Sequence, residues 1–418
     1  MQVRTSTPAR CACTESGMRR VLIAWELGAH LGHVLRILGV ARELRACGVE
    51  LLIAVRDLRT ATATLGRDGF ACVQAPLVAA PESATGMPTE PAGYAGILAA
   101  CGFGDIATLR AIVQGWDGLL DVYRPHALLA DHAPTALLAA RLRELPAAQI
   151  ALGFELPPAT RPLPVLRPWI RHDVGELLAL EDGLLASINT LCDERGRARL
   201  EHLAQLYASA APMLATLPEL DHFAGRADGH YVGPLYSLDE GEAAQWPAAD
   251  ATGPKTFVYL RPGPAAQHVL EALSRRTAGQ TIAAIPGLDE ATAAHYRSAR
   301  MAVHTHAVRT RVALSADLLV SNGGHGLSAA ALLAGVPLLA LPGNVEQWML
   351  AQRVTQLGAG ISLNPDQVTQ RAAIAINALL EGGAERAAAQ AFAARHAGVD
   401  QAGTTRRIVA AVEHLCIV

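Results

Sequence analysis

The sequence predicts an α/β protein made of two parallel-sheet halves. Three observations carry this reading. The chain has 418 residues, more than one core usually organises. Short apolar runs alternate with segments of helical period, a rhythm that implies parallel strands joined by crossover helices. That rhythm occurs twice, and the stretch between, from His222 to Pro254, has neither period.

In the first series "VLIAW" reads as a strand, "VLRILGVARELRACG" as a helix ending at Gly48, and "VELLIAV" as the next strand. "ALLAD" and "AQIALGF" read as strands flanking the helical "PTALLAARLREL". Residues 78–96 and 155–169 are rich in proline and read as long loops, of the kind that wall a substrate site. After the linker come "KTFVYL", a helix around 265–276, "QTIAAI", "ADLLV", a helix and "VPLLAL", then helices near 366–381 and 403–415. The expected divisions are a disordered tail 1–19, a first domain 20–220, a linker 221–254, a second domain 255–400, and a closing helix 401–418 placed to pack back on the first domain. Two such domains form a cleft at the carboxyl ends of their strands, where ligands bind.

Composition narrows the function classes. Hydrophobic residues make up 51% and charged residues 17%, enough for large cores. A net charge of −3 without a basic block argues against nucleic acid. Seven scattered cysteines read as reduced thiols of a cytoplasmic protein, and Cys11-x-Cys13 is set aside as a metal site. No apolar run reaches the ~18 residues of a membrane span. The first twenty residues lack the apolar stretch of a secretory signal, and peripheral membrane contact stays open.

The segment "SNGGHGLSAAALLAGVPLLALPGNVEQ", Ser321 to Gln347, is the most informative. A strand stops at Gly323, Gly324 and Gly326 and a helix follows. Glycines allow a tight turn and close approach of backbone to ligand. The first turn of the helix offers unpaired N–H groups and the positive dipole end, a site for an anion such as a diphosphate. His325 and Ser328 add donors. The run also matches G-x-G-x-x-A of dinucleotide sites, but imperfectly: it does not open a first βαβ unit, and the next strand ends at Gly343-Asn344, with the acidic Glu346 following at roughly the right distance.

The whole stretch resembles the donor-binding segment of family 1, UDP-glucosyltransferase-like glycosyltransferases of the GT-B fold, in particular a bacterial subgroup. The likeness runs through "SNGGHGLSAAALLAGVP", "LLALP", Glu346-Gln347 and "RVTQLGAGISL". It implies two facing Rossmann-like domains and transfer from a nucleotide diphosphate sugar. It also implies that Gly323, Gly324 and Gly326 hold the diphosphate and that Glu346 and Gln347 bind sugar hydroxyls. Three positions depart from the family. Asn322 stands for a phosphate-facing histidine, Leu327 for a threonine or serine, and Ala330 for the glutamate on the ribose hydroxyls. The last departure suits a deoxyribose donor, so UDP and dTDP both stay open. The family's base-stacking tryptophan is also missing, and His306 and the backbone near Val308 fill the region that would face the base; Arg261 is read either as a partner of a phosphate or as a solvated surface arginine.

Inverting transfer needs a base opposite the leaving diphosphate, and histidine suits that task. Gly32-His33-Val34-Leu35-Arg36 fits the family's G-H-x-x-P turn, with arginine for proline. The resemblance makes His33 the catalytic histidine, with His30 the alternative one turn earlier. It makes Asp131, at the end of "ALLAD", the residue that orients the base; a helix N-cap is its competing role. His132 beside it has no assigned role. No D-x-D motif is present and no metal or other cofactor is expected. Glu181-Asp182 and Asp239-Glu240 read as solvated charges. The expected function is an inverting, metal-independent hexosyltransferase with a small-molecule or lipid-like acceptor. An NDP-sugar epimerase or hydrolase, and a degenerate binding protein, are the alternatives.

Overall fold

A computed structural model describes residues 18–28, 31–78, 91–208, 211–224, 226–247 and 252–417. His30, Cys11 and Cys13 lie outside them, as does nearly all of the 1–19 tail.

Among the described residues, twelve strands form two all-parallel sheets of six. The first contains Arg20–Trp25 (β1), Glu50–Val55 (β2), Ala71–Gln74 (β3), Ala127–Asp131 (β4), Ala147–Ala151 (β5) and Ala211–Leu214 (β6), in the order β3-β2-β1-β4-β5-β6. The second contains Lys255–Tyr259 (β7), Gln280–Ala284 (β8), Met301–His304 (β9), Leu318–Ser321 (β10), Leu338–Ala340 (β11) and Gly360–Ser362 (β12), in the order β12-β11-β10-β7-β8-β9. Counted from its own first strand, each sheet has the same doubly wound topology. The strand order reverses between β1 and β4 and again between β7 and β10. Ligands of such sheets bind at these reversal points, beyond the strands' carboxyl ends.

The apolar runs become strands because helices cover both faces of each sheet. Along β1, Val21, Ile23 and Trp25 enter one core while Leu22 and Ala24 enter the other. The helix Leu31–Ala46 presses Val34, Ile37, Leu38, Ala41 and Leu44 onto the first sheet. His33 and Arg36 lie on that same buried face. A charged side chain there needs partners, since an unpaired buried charge is costly.

The closing helix Gln401–Leu415 lies on the first domain although its sequence follows the second. Its Ile408, Val409 and Val412 join the core that holds Val34 and Ile37, and Arg19 pairs with Glu413 at 2.8 Å. Asp400 starts it by accepting the N–H groups of Ala402 and Gly403. The stretch after His222 is tied down rather than loose. Val232 and Leu235 are buried in the first domain, and Glu242 exchanges backbone hydrogen bonds with Ala307 and Arg309 of the second.

The domains touch through Phe154, Leu166, Phe223 and Met349, which form a small apolar cluster with Trp348. Trp169, from the proline-rich loop, meets Trp348 with ring centroids 3.8 Å apart. One expectation is corrected here. Glu181 is not solvated: it is buried and accepts the Leu163 N–H, because it anchors that loop to the helix Val174–Glu194. Among the described residues no single helix is long and apolar enough to cross a membrane.

Candidate active site

Four charged or titratable side chains meet, buried, at the reversal point of the first sheet. His33 comes from the helix after β1, Asp131 from the end of β4, Arg36 from one turn beyond His33, and Glu155 from the turn after β5. His33 Nδ1 donates to Asp131 Oδ1 at 2.9 Å. Arg36 grips Asp131 with a two-pronged fork, Nε to Oδ2 at 2.9 Å and Nη2 to Oδ1. The same Nη2 donates to Glu155 Oε1 at 2.8 Å. Glu155 Oε2 in turn accepts the Leu152 N–H at 2.6 Å. Every carboxylate oxygen of the pair therefore has a donor.

This geometry fixes the histidine. With Nδ1 committed to a carboxylate, Nε2 carries the free lone pair. Trp25 stacks on the ring, centroids 5.4 Å apart. Gly28, at φ +82°, sits so close that a Cβ there would lie 2.1 Å from His33 Nε2. Only glycine fits, for conformation and for space.

Electrostatics follow from the packing. Burial alone would lower the His33 pKa, but Asp131 and then Glu155 outweigh it and hold the imidazole above its ordinary value. Burial alone would raise Asp131, but Arg36 and His33 override it and hold the carboxyl at about 2. His132, buried and at φ +47°, is pushed down to about 4, chiefly by burial, and stays neutral. Asp131 does not cap a helix. The following helix Pro134–Leu142 has Ala133 at its N-cap, and Glu26 accepts the N–H groups of Thr135 and Ala136 instead.

The second sheet presents its own reversal point. β10 ends at Ser321 and the helix His325–Leu333 begins at Gly324. The glycines have different reasons to be there. Gly323 has φ +78°. Gly326 admits the linker, since a Cβ would meet Tyr236 at 3.2 Å. Gly324 has neither constraint, and a Cβ there would meet only open space, so its backbone is accessible. His325 Nδ1 and Ser328 Oγ are buried without a hydrogen-bond partner among the described residues, while His325 Nε2 lies 2.6 Å from Thr216 Oγ1.

Other residues singled out in the sequence take varied places. Asn322 spends its side chain on the scaffold, accepting the Arg261 N–H at 3.0 Å and donating to Leu341 O at 2.9 Å. It ties together the loops after β7 and β11. The Arg261 side chain is exposed. Leu327 packs on the second core. Val308 is buried in that core, and the exposed His306 pairs with Glu242 at 2.9 Å. Gln347 uses its Oε1 to accept the Gly343 N–H at 2.9 Å. Glu346, second residue of the helix Val345–Gln356, is half-buried, and Glu155, His33 and Arg36 of the first domain act on its charge. Burial, and then the negative charge of Glu155, push its carboxyl above the usual range, with His33, Arg36 and Arg261 opposing. The two reversal points thus face one another.

Comparison with known proteins agrees with this architecture. Residues 285–409 match the family described as erythromycin biosynthesis protein CIII-like, C-terminal domain. A PGL/p-HBAD biosynthesis glycosyltransferase of Mycobacterium tuberculosis (strain H37Ra) is 26% identical over 330 residues, covering 75% of this chain and 76% of the relative. A PGL/p-HBAD biosynthesis rhamnosyltransferase of Mycobacterium bovis (strain BCG) is 26% identical over 411 residues, covering 93% of this chain and 87% of the relative. The solved structure of spinosyn rhamnosyltransferase SpnG complexed with thymidine diphosphate superposes with a TM-score of 0.65 at 16% identity, over 94% of this chain and all of that one. The chain is a glycosyltransferase of the GT-B fold, similar to the bacterial family 1 enzymes. In this glycosyltransferase the two sheets are the two GT-B domains, and the facing reversal points are the walls of its cleft.

Arg36 and Glu155 were not recognisable as site residues from motif alone. Arg36 reads as a substitution for the family's proline, and Glu155 as the first residue of a proline-rich loop. A physical signal was present for Arg36. His33, Arg36, Ile37, Val40, Ala41 and Leu44 fall on one helical stripe, so the arginine had to be buried and paired.

Proposed function

We propose that the enzyme transfers a sugar, with inversion, from a nucleotide diphosphate donor to a hydroxyl of a small, apolar or lipid-like acceptor. The observation that carries this reading is the opposition of two half-sites across one cleft. The His33–Asp131 pair stands at one reversal point, and Glu346 with the accessible Gly324 helix start stands at the other.

In this reading the acceptor hydroxyl gives its proton to His33 Nε2 as its oxygen attacks the anomeric carbon. Asp131 holds the tautomer and stabilises the imidazolium. The leaving diphosphate lies against the N-terminus of the His325–Leu333 helix, where amide groups and the dipole stabilise its growing charge. His325 Nδ1 and Ser328 Oγ, otherwise unpartnered, supply donors. Glu346 and Gln347 bind sugar hydroxyls.

The donor nucleotide is proposed to be dTDP rather than UDP. Ala330 leaves no carboxylate for a ribose 2′-hydroxyl, and the SpnG relative holds thymidine diphosphate. Its base would lie elsewhere than on Val308, which is enclosed in the core.

No metal is needed in this scheme. His33, His132 and Glu155 bring ligand-type atoms within 4.8 Å of one another, but Arg36 already supplies the positive charge between Asp131 and Glu155. A nucleotide panel by thermal shift tests the donor assignment. dTDP raises the melting temperature more than UDP, and ADP does not; equal or absent shifts for dTDP and UDP contradict it.

A further inference from the structure

Outside the His33–Asp131 pair, the buried Arg36 and Glu155 demand an explanation. A base needs only one carboxylate to orient it, yet here a second carboxylate and a guanidinium are buried beside the first. They are not bystanders, because Arg36 Nη2 reaches both acids and His33 Nδ1 lies 3.7 Å from Glu155 Oε1.

The charges explain the arrangement. A His33–Asp131 pair alone passes from −1 to 0 when the imidazole takes a proton. Adding Arg36 alone gives the fork that locks Asp131, but shifts that change to 0 → +1. A buried positive cluster disfavours imidazolium and weakens the base. Adding Glu155 restores −1 → 0. We infer that Arg36 and Glu155 are a matched pair of positioning residues, Arg36 fixing Asp131 in place and Glu155 cancelling the guanidinium's charge so that His33 keeps its basicity.

Several observations agree. Glu155 is itself held rigidly, its Oε2 by the Leu152 N–H and its backbone carbonyl by the Tyr94 hydroxyl at 3.1 Å. All four members of the cluster are at least nine-tenths buried, so solvent screens them weakly. The other titratable groups facing His33 do not replace Glu155. His132, from the end of β4, is neutral, and Glu346, from the opposite domain, has its carboxyl shifted toward the neutral form. Within the first domain, Asp131 and Glu155 are the acids that balance Arg36.

The inference rests on the base reading above, and its test needs no substrate. Protein labelled with 13C at histidine Cε1 is titrated by NMR, with the His33 signal assigned by its loss in H33Q. Glu155→Gln lowers the His33 pKa by about 1 to 3 pH units, the range for loss of an adjacent opposite charge. Arg36→Met raises it, and the double variant returns it near the wild-type value. Glu155→Asp, which keeps the charge, leaves it nearly unmoved. The opposite directions make either single variant decisive if the other fails to fold. Unchanged titration in E155Q or R36M overturns the inference. Sugar transfer retained by H33Q would instead overturn the base reading and leave the titration result standing.

Discussion

At the scale of single residues the cleft depends on His33 and what holds it. Asp131 binds Nδ1, Trp25 covers a face, and Gly28 admits Nε2. Replacing His33 with glutamine keeps much of the shape and removes the proposed base; turnover is expected to fall by about 10²–10⁴-fold, the usual contribution of general-base assistance. Gly28→Ala forces a Cβ against the imidazole at a left-handed backbone position. A loss of about 1–3 kcal/mol in a denaturant melt is expected, together with loss of turnover. The pH profile has a definite sign. The His33 pKa is raised, so the unprotonated base is lost as pH falls through that raised value, and kcat/KM falls on the acid side. Its ion pair contributes stability that is complete below the ordinary histidine value and lost as pH rises through the raised one. Asp131 behaves oppositely, and its stabilisation disappears as pH falls from the ordinary carboxylate range toward about 2. A melting-temperature profile against pH reads both.

At the scale of elements, the strand–loop–helix units matter because their ends meet at reversal points. The helix His325–Leu333 starts at the exposed Gly324 and holds the buried, unpartnered Ser328 Oγ in its first turn. Ser328→Ala removes one donor and is expected to weaken dTDP binding about 10-fold in calorimetry, as for one hydrogen bond to a charged group. Much of this was legible in sequence. The apolar runs marked the strands, because a fully buried parallel strand is apolar on both faces, and the glycine cluster marked the turn. Asn322 was less legible. Its side chain bonds backbone from two loops distant in sequence, which no local pattern encodes. Glu155 and Glu181 were hidden for a related reason. Their partners, Arg36 and the Leu163 N–H, are brought near only by tertiary folding. The three glycines looked alike in sequence, yet one serves backbone geometry, one the linker and one open space.

At the scale of the whole molecule, chain order and domain membership diverge. The helix Gln401–Leu415 leaves the second domain and completes the core of the first through Ile408, Val409 and Val412. Ile408→Ala is expected to cost about 2–5 kcal/mol by the cavity it leaves, seen as a lower urea midpoint of the first domain. Transfer itself is expected to be insensitive to EDTA, since Arg36, not a cation, balances the buried carboxylates. Measurement of turnover before and after chelation checks this.

The central claim is that the two reversal points form one reaction centre. A crystal structure with a dTDP-sugar tests it most directly. The account predicts the diphosphate at the Gly324 end of the His325–Leu333 helix and the anomeric carbon turned toward His33 Nε2. Diphosphate bound elsewhere, or an imidazole facing away from the sugar, would contradict it.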